Sequence, residues 1–420
     1  MKLTKTISYP VFLGLTHIGQ IFSLCWSKKV GKCFVFDFDK NNLKKYKNKT
    51  YTDEEPSLKS HKFDLKRINV LKNEDALINA EVIFFTYDTP LRSNDGYPII
   101  KSVQDKLDKL FKIKFKKKVK IIITSQFYPG YINFLKKKYL KNNKNIEIIY
   151  MVDTLKMGSA IDKFLYPEQL IFGAELKQKK FLLKLFKKFR CKKFLLKIEE
   201  AELLKISINL YLYFSVNFTN IMDTFSKQLN INFSNIIKNL RNDKRIGKFS
   251  YITPSPAISG GHLERDTCYL RQESKDKEII KIFNNLEKFN SSRKIKIRDK
   301  IIKLTKNKKA KILIVGASYK SNSFSIVNNV FDKIFKHKNF KTYFYDSYFK
   351  LENHGINNIQ KNISHGVKKA DVIILNYCNT KDLRYLKNLF SNKKIKKFLV
   401  NFSFKNKKLF LDNNKVINYF

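Results

Sequence analysis

Three stretches of this sequence carry side chains whose types and spacing could do chemistry. The first is Gly14-Leu-Thr-His-Ile-Gly19, with Asp37 closing the apolar run Cys33-Phe-Val-Phe36 further on. Such a turn brings backbone N–H groups and a helix N-terminus, with Thr16 and Ile18 in it, onto a pyrophosphate, and an acid about twenty residues later suits a ribose hydroxyl pair. Thr16 stands where G-x-G-x-x-G has its middle glycine, the one that lets phosphates approach the backbone closely. The second pair is Lys205 and Asn209, four apart and so on one helix face. A cation and an amide both donate hydrogen bonds to negative oxygen; a solvated lysine with a capping or core asparagine is the plainer alternative. The third is Gly260-Gly-His-Leu-Glu-Arg-Asp266, where His262 has the side chain best suited to act as a base near neutral pH. A loop histidine paired with Asp266 is the competing reading.

Composition narrows the field around these residues. The chain has 420 residues and a formal charge of +49, from 85 Lys plus Arg against 36 Asp plus Glu. A hydrophobic share of 43% can fill a core, which excludes a disordered chain. The basic excess invites a nucleic-acid face, but only ten of the basic residues are arginine and the lysines run the whole length among Asn, Ile and Phe. That is the stamp of AT-rich coding, and no nucleic-acid partner is expected. Five scattered cysteines form no C-x-x-C pair, so neither a disulfide scaffold nor a cysteine zinc site is expected, no metal is assigned, and a reducing cytoplasm fits. Met1 to Pro10 has no signal-peptide core, and no run of about 18 uncharged apolar residues occurs. Ile206 to Phe225 is apolar but contains Asn209, Asn217, Asn220 and Asp223, which favours a buried interdomain helix over a membrane span. Lys177 to Lys197 reads as a solvated basic helix rather than a membrane-surface one. No stable membrane insertion is expected.

The elements that must position these residues follow from the glycines, which number only thirteen and so mark places where the backbone needs them. Ile7 to Leu13, the Gly14 turn and Ile21 to Trp26 read as strand, turn and helix, and Cys33 to Asp37 as a second strand. Glu81 to Thr86 and Lys120 to Ser125 are further strand-like runs, punctuated by Asp88-Thr-Pro90, Asp95-Gly96 and Tyr128-Pro-Gly130. Strands alternating with Lys-rich helical stretches predict a parallel sheet with ligand loops at its C-terminal edge. Lys311 to Lys320, Thr342 to Asp346 and Ala370 to Leu375 repeat that pattern.

In order and spacing these segments resemble the UDP-glucose/GDP-mannose (nucleotide-sugar) dehydrogenase family. The resemblance rests on the Gly14–Gly19 turn, Asp37, Glu55-Pro56, Thr86-x-x-Thr89-Pro90 and Ser125-x-x-x-Pro129-Gly130. Met157-Gly-Ser-Ala160, Asp162, Pro167 and Gly173 continue it, and it runs through nearly the whole chain. It implies an α/β fold of two Rossmann-like parallel-sheet domains joined by a central helical segment. The divisions would be an NAD-binding domain at 1–195, a helical substrate and dimerisation domain at 196–300, and a nucleotide-sugar domain at 301–420. It further implies NAD as cofactor, a nucleotide-sugar substrate, a homodimer and a place in polysaccharide precursor synthesis. Gly14, Thr16, Ile18, Gly19, Asp37, Thr86, Thr89 and Ser125 would line the cofactor, and Lys205, Asn209, Gly260, Gly261 and Lys320 the substrate.

The resemblance also locates departures. The family pattern P-G-P-G-F-G-G-S-C-x-P-K-D, laid without gaps on Pro254 to Asp266, puts His262 at the catalytic cysteine; a one-residue deletion would put Leu263 there. Neither is a thiol, and Cys268 lies six residues beyond. In the P-E-F-L-x-E-G segment, whose glutamate assists proton transfer, Asp153 and Met157 stand in the acidic places. Lys320 of G-x-A-F-K is kept, whereas Ser325, Val327 and Asn329 replace D-x-R-x-S, whose arginine is a charge-assisted clamp. Without the thiolate, which traps an aldehyde on the way to a carboxylate, the second oxidation is expected to fail. The catalytic candidates are therefore Lys205, Asn209, His262, Asp266 and Asp153. Oxidation of a nucleotide sugar leads, a two-electron dehydrogenase stopping at an aldehyde or ketone is the first alternative, and an inactive sugar-nucleotide-binding homologue the second.

Overall fold

The computed structural model describes residues 9–92, 97–141, 143–392, 394–403, 410 and 414–419. The expected strand start at Ile7 and Ser8 and the Asp95-Gly96 turn lie outside them. The chain divides into two compact units, with the break after Ile208.

The first unit is built on eight strands: β1 (Val11–Leu13), β2 (Cys33–Phe36), β3 (Ile68–Val70), β4 (Val82–Phe85), β5 (Val119–Ile123), β6 (Ile146–Met151), β7 (Gln169–Gly173) and β8 (Lys192–Leu196). Their order is β3-β2-β1-β4-β5-β6-β7-β8, and every pair is parallel except β6 with β7. The first six follow the doubly wound dinucleotide-binding order, in which the chain reverses direction beside β1. β1, β4 and β5 are near-continuous apolar runs because helices cover both faces of a parallel sheet. On one face the helix His17–Lys29 packs Phe22 and Trp26 onto Phe12 and Phe84, whose rings stack at 4.8 Å between centroids. Each large apolar side chain buried there contributes ~1.5–3 kcal/mol. This cluster fixes the helix with its N-terminus at the Gly14 turn, above the C-terminal end of β1.

The basic stretch Lys177–Lys197 departs from the single solvated helix expected of it. Its helix covers only Lys179–Leu185, and residues 192–196 form edge strand β8. Phe186 and Phe189 turn inward onto Trp26 and end the helix, while lysines on the outer strand discourage edge-to-edge pairing.

The second unit carries a parallel sheet of β9 (Ala310–Val315), β10 (Phe340–Tyr345), β11 (Val372–Leu375), β12 (Phe398–Asn401) and β13 (Val416–Asn418), in the order β10-β9-β11-β12-β13. Before it come the helices Phe233–Asn242, His262–Glu273 and Lys277–Leu304. A 31-residue helix, Ile198–Gln228, runs from the first unit into the second. From residue 209 onward its polarity is inverted: Asn217, Asn220 and Asp223 are buried, while Tyr211, Phe214, Phe218, Ile221 and Phe225 are exposed. The buried polar face has partners. Asn220 Oδ1 accepts the Ser255 N–H at 2.9 Å, and Arg293 donates to the Asn220 carbonyl at 2.9 Å, the Ser255 carbonyl at 2.7 Å and Asp223 at 3.4 Å. The expectation of a buried helix thus holds for one face only. Among the described residues no helix is long and apolar enough to cross a membrane.

Candidate active site

In the first unit the glycine turn is as tight as its sequence suggests. Gly14 sits at φ +104°, and a Cβ on Gly19 would fall 1.7 Å from the Gly14 carbonyl oxygen, so both positions exclude a side chain. Asp37, 2% exposed at the end of β2, accepts the Leu15 N–H at 2.7 Å and the Asp39 N–H at 2.7 Å. It also accepts from the Tyr87 hydroxyl at 2.8 Å and the Asn42 amide at 3.2 Å. Burial pushes its carboxyl up, and these bonds pull it back down. Thr16 caps the helix in extended geometry, and its hydroxyl accepts the Asp88 N–H at 3.0 Å. The Ile18 N–H donates to the Asp88 carboxylate at 3.1 Å. Thr86, Thr89 and Ser125 hold loops: their hydroxyls donate to the carbonyls of Gly14 at 2.7 Å, Gln126 at 2.7 Å and Tyr87 at 2.5 Å.

The backbone frame fits a dinucleotide. It offers a glycine cradle without room for Cβ atoms, a thirteen-residue helix aimed at it, and a strand-end acid. His17, first in that helix, has a buried Nε2 with no hydrogen-bond partner among the described residues, an atom suited to a polar ligand.

Lys205 also belongs to this unit. It is largely buried, and its ammonium donates to the Asp153 carbonyl at 2.5 Å with the Asp153 carboxylate 4.0 Å away. One turn earlier, Glu202 accepts the N–H groups of Gly130 at 2.8 Å and Ile132 at 2.9 Å, which ties the helix to the loop after β5. Burial pushes its carboxyl up to about 7. Met157 lies in the same unit and offers no ionisable group.

In the second unit Asn209, Gly260, Gly261, His262, Asp266 and Lys320 come from three segments. Gly260 and Gly261, at φ +96° and +85°, turn the chain into the helix His262–Glu273, so His262 begins that helix. Asp266, fully buried on its next turn, accepts the Asn209 amide at 2.6 Å and the Arg265 guanidinium at 3.2 Å. Asn209 is thereby fixed by the acid. The Gly260 N–H donates to the Val327 carbonyl at 2.9 Å, and a Cβ on Gly260 would meet the Tyr319 ring at 3.2 Å. The loop is thus joined to the turn after β9, where the Lys320 ammonium sits 5.0 Å from the centre of that ring. Glu264 is a further buried carboxyl close to His262. Asn328 donates to one of its oxygens at 2.9 Å, the other has no partner among the described residues, and burial pushes its carboxyl up.

No cysteine is poised as a nucleophile. Cys25, Cys33 and Cys268 are buried, Cys191 and Cys378 half-buried, and burial raises all five thiols, Cys33 and Cys378 to about 12. Cys268 lies inside its helix, where it accepts from the Arg271 guanidinium at 3.4 Å. Among the described residues no cluster of His, Cys, Asp or Glu could hold a metal.

The sequence reading missed Tyr87, Asp88, Glu202 and Glu264. It also missed a recurrence. Gly316, Asp346 and Tyr377 of the second unit repeat the contacts of Gly14, Asp37 and Tyr87: the Ala317 N–H reaches Asp346 at 2.9 Å and the Tyr377 hydroxyl reaches it at 2.6 Å. In both places the tyrosine follows a strand end by two residues, a spacing that was visible once the strands were aligned.

Comparison with known proteins agrees with this arrangement. Residues 10–190 match the NAD binding domain of the UDP-glucose/GDP-mannose dehydrogenase family, and residues 199–292 match its central domain. A UDP-glucose 6-dehydrogenase of Campylobacter jejuni is 28% identical over 341 residues, covering 78% of this chain and 82% of that one. The solved UDP-glucose dehydrogenase of Pyrobaculum islandicum superposes with a TM-score of 0.81 at 15% identity, covering 100% of this chain and 98% of that one. A UDP-D-ManNAc dehydrogenase from Pyrococcus horikoshii gives 0.79 at 15% identity, covering 97% and 99%. These two show the fold. With its NAD-binding and central domains both matched, the chain belongs to the UDP-glucose/GDP-mannose dehydrogenase family of NAD-dependent nucleotide-sugar oxidoreductases.

Proposed function

We propose that this chain oxidises a UDP- or GDP-activated hexose with NAD, as a step in polysaccharide precursor synthesis, and that it stops after one hydride transfer, at an aldehyde or ketone. The state of the thiols carries the second half of that reading. A covalent route to a carboxylate needs a thiolate, and all five thiols are buried or half-buried with their ionisation suppressed.

NAD, when bound, supplies the hydride acceptor. The Gly14–Gly19 turn with Thr16 and Ile18 would receive its diphosphate, Asp37 its ribose, and Thr86, Thr89 and Ser125 hold the surrounding loops. On the substrate, Lys205 and Asn209 donate to the oxygen of the reacting carbon, which gathers negative charge as its proton leaves. Asp153 orients the first and Asp266 the second. His262 takes the hydroxyl proton. Gly260 and Gly261 turn the substrate loop into the helix that begins with His262, and Lys320 serves a phosphate of the nucleotide.

Two further features support a quaternary state and a location. The exposed Tyr211, Phe214, Phe218, Ile221 and Phe225 recur at three- and four-residue spacing, an apolar seam that supports a homodimer formed through the central segment 196–300. Five free thiols support a cytoplasmic location.

The test is product stoichiometry with NAD and a panel of UDP-, GDP- and CDP-sugars. One NADH per sugar, lost in Lys205→Ala, supports the proposal, and two overturn the one-step reading. A second reading, a sugar-nucleotide-binding homologue without turnover, draws support from the Tyr87 and Asp88 contacts on the turn. Sugar-nucleotide binding without NADH would select it.

A further inference from the structure

Resting on the reading that this chain uses NAD, we propose that its own Tyr87–Asp88 segment occupies the dinucleotide site, so that NAD binds only by displacing it.

Two groups a dinucleotide would use on this turn, the Ile18 N–H and the Asp37 carboxylate, are already bonded. A diphosphate would dock on the N–H groups at the start of the helix His17–Lys29. The Ile18 N–H there donates to the Asp88 carboxylate at 3.1 Å, and one donor cannot serve a carboxylate and a phosphate together. A ribose would need a free lone pair on Asp37. A carboxylate has about four such sites, and Leu15, Asn42, Asp39 and Tyr87 supply four donors. The Tyr87 ring lies on the glycine itself: a Cβ on Gly14 would be 2.8 Å from two of its ring carbons. Its hydroxyl also accepts the Phe38 N–H at 2.9 Å, and the side chain is 4% exposed, which marks a packed position.

Thr16, in the place of the middle glycine, accepts the Asp88 N–H at 3.0 Å, and Asp88 in turn accepts from Ile18. Tyr87, the residue before Asp88, reaches Asp37 with its hydroxyl at 2.8 Å. Charge acts in the same direction. A diphosphate docking on the Ile18 N–H therefore has to displace the Asp88 carboxylate bound to it.

The experiment is direct NAD binding to the full chain by isothermal titration calorimetry, with no sugar present. Asp88→Asn keeps the shape and the Ile18 contact while removing the charge, and Tyr87→Phe frees one of the four acceptor sites on Asp37 while keeping the ring. Asp88→Asn is expected to tighten NAD at least about tenfold, or ~1.4 kcal/mol, and Tyr87→Phe severalfold, with a larger gain in the double variant. ADP-ribose, which carries the same diphosphate and ribose, should follow the same order. Thermal unfolding checks that each variant is folded, and Asp88→Ser replaces Asp88→Asn if that variant is not. Equal or weaker NAD affinity in folded variants overturns the proposal while leaving NAD-dependent oxidation standing. Tighter NAD in the variants supports it, and does so even if no sugar then yields NADH, a result that would instead sink the oxidoreductase reading.

Discussion

Glu202 offers a test of how the substrate helix is held. Its carboxylate is buried on the helix that carries Lys205, accepts two backbone N–H groups of the loop after β5, and is raised from 4.5 to about 7 by loss of water. Between those pH values the folded chain keeps a proton that the unfolded chain has released. The contribution is full below about pH 4.5 and is lost as pH rises through about 7, so stability falls with rising pH across that window. At about 1.36 kcal/mol per pH unit, the loss is on the order of 3 kcal/mol. Glu202→Gln removes the titration but also one acceptor, since an amide oxygen cannot serve both N–H groups as a carboxyl does, at a cost of ~1 kcal/mol. The variant should thus be less stable by about 1 kcal/mol at pH 4, nearly equal at pH 5, and more stable by about 2 kcal/mol at pH 8. Urea unfolding of the first unit, followed by Trp26 fluorescence at these pH values, reads the difference directly. Wild type and variant curves that move in parallel with pH would refute the argument that a buried, proton-retaining carboxyl anchors the helix.

Three further outcomes follow from the same geometry. His262→Gln should lower turnover by about 10²–10⁴-fold and abolish the acidic limb of the pH–rate profile, whereas a structural role would leave that limb in place. Cys268→Ala should leave turnover unchanged, at a stability loss of ~1 kcal/mol for the small cavity, and brief iodoacetamide treatment of the native enzyme should not inactivate it. On the proposed dimer, the wild type should run as a dimer in light scattering and the double variant Phe218→Glu with Phe225→Glu as a folded monomer.

The parts of this molecule that were legible beforehand are those where local backbone needs write themselves into residue type. Gly14, Gly19 and Asp37 mark a turn and strand end that any dinucleotide fold must build, and the strands around them are unbroken apolar runs. The Lys205–Asn209 spacing follows from helix geometry alone. What was not legible depends on long-range pairing. Tyr87 and Asp88 fill the variable places of Thr86-x-x-Thr89, and nothing local says that a phenol will meet an acid 50 residues away. The inverted face of the central helix is of the same kind: Asn220 and Asp223 look like surface residues until Ser255 and Arg293 come to meet them. Lys177–Lys197 misled for a different reason, because lysine suits an exposed helix and an exposed edge strand equally well.

The central claim is that this family member oxidises its sugar nucleotide once, with no thiol taking part. Stopped reactions in limiting sugar nucleotide and excess NAD, with NADH counted optically and the sugar product identified by mass, test it most directly. The account predicts one NADH and a carbonyl product for each sugar consumed. Two NADH and a uronic acid would contradict it.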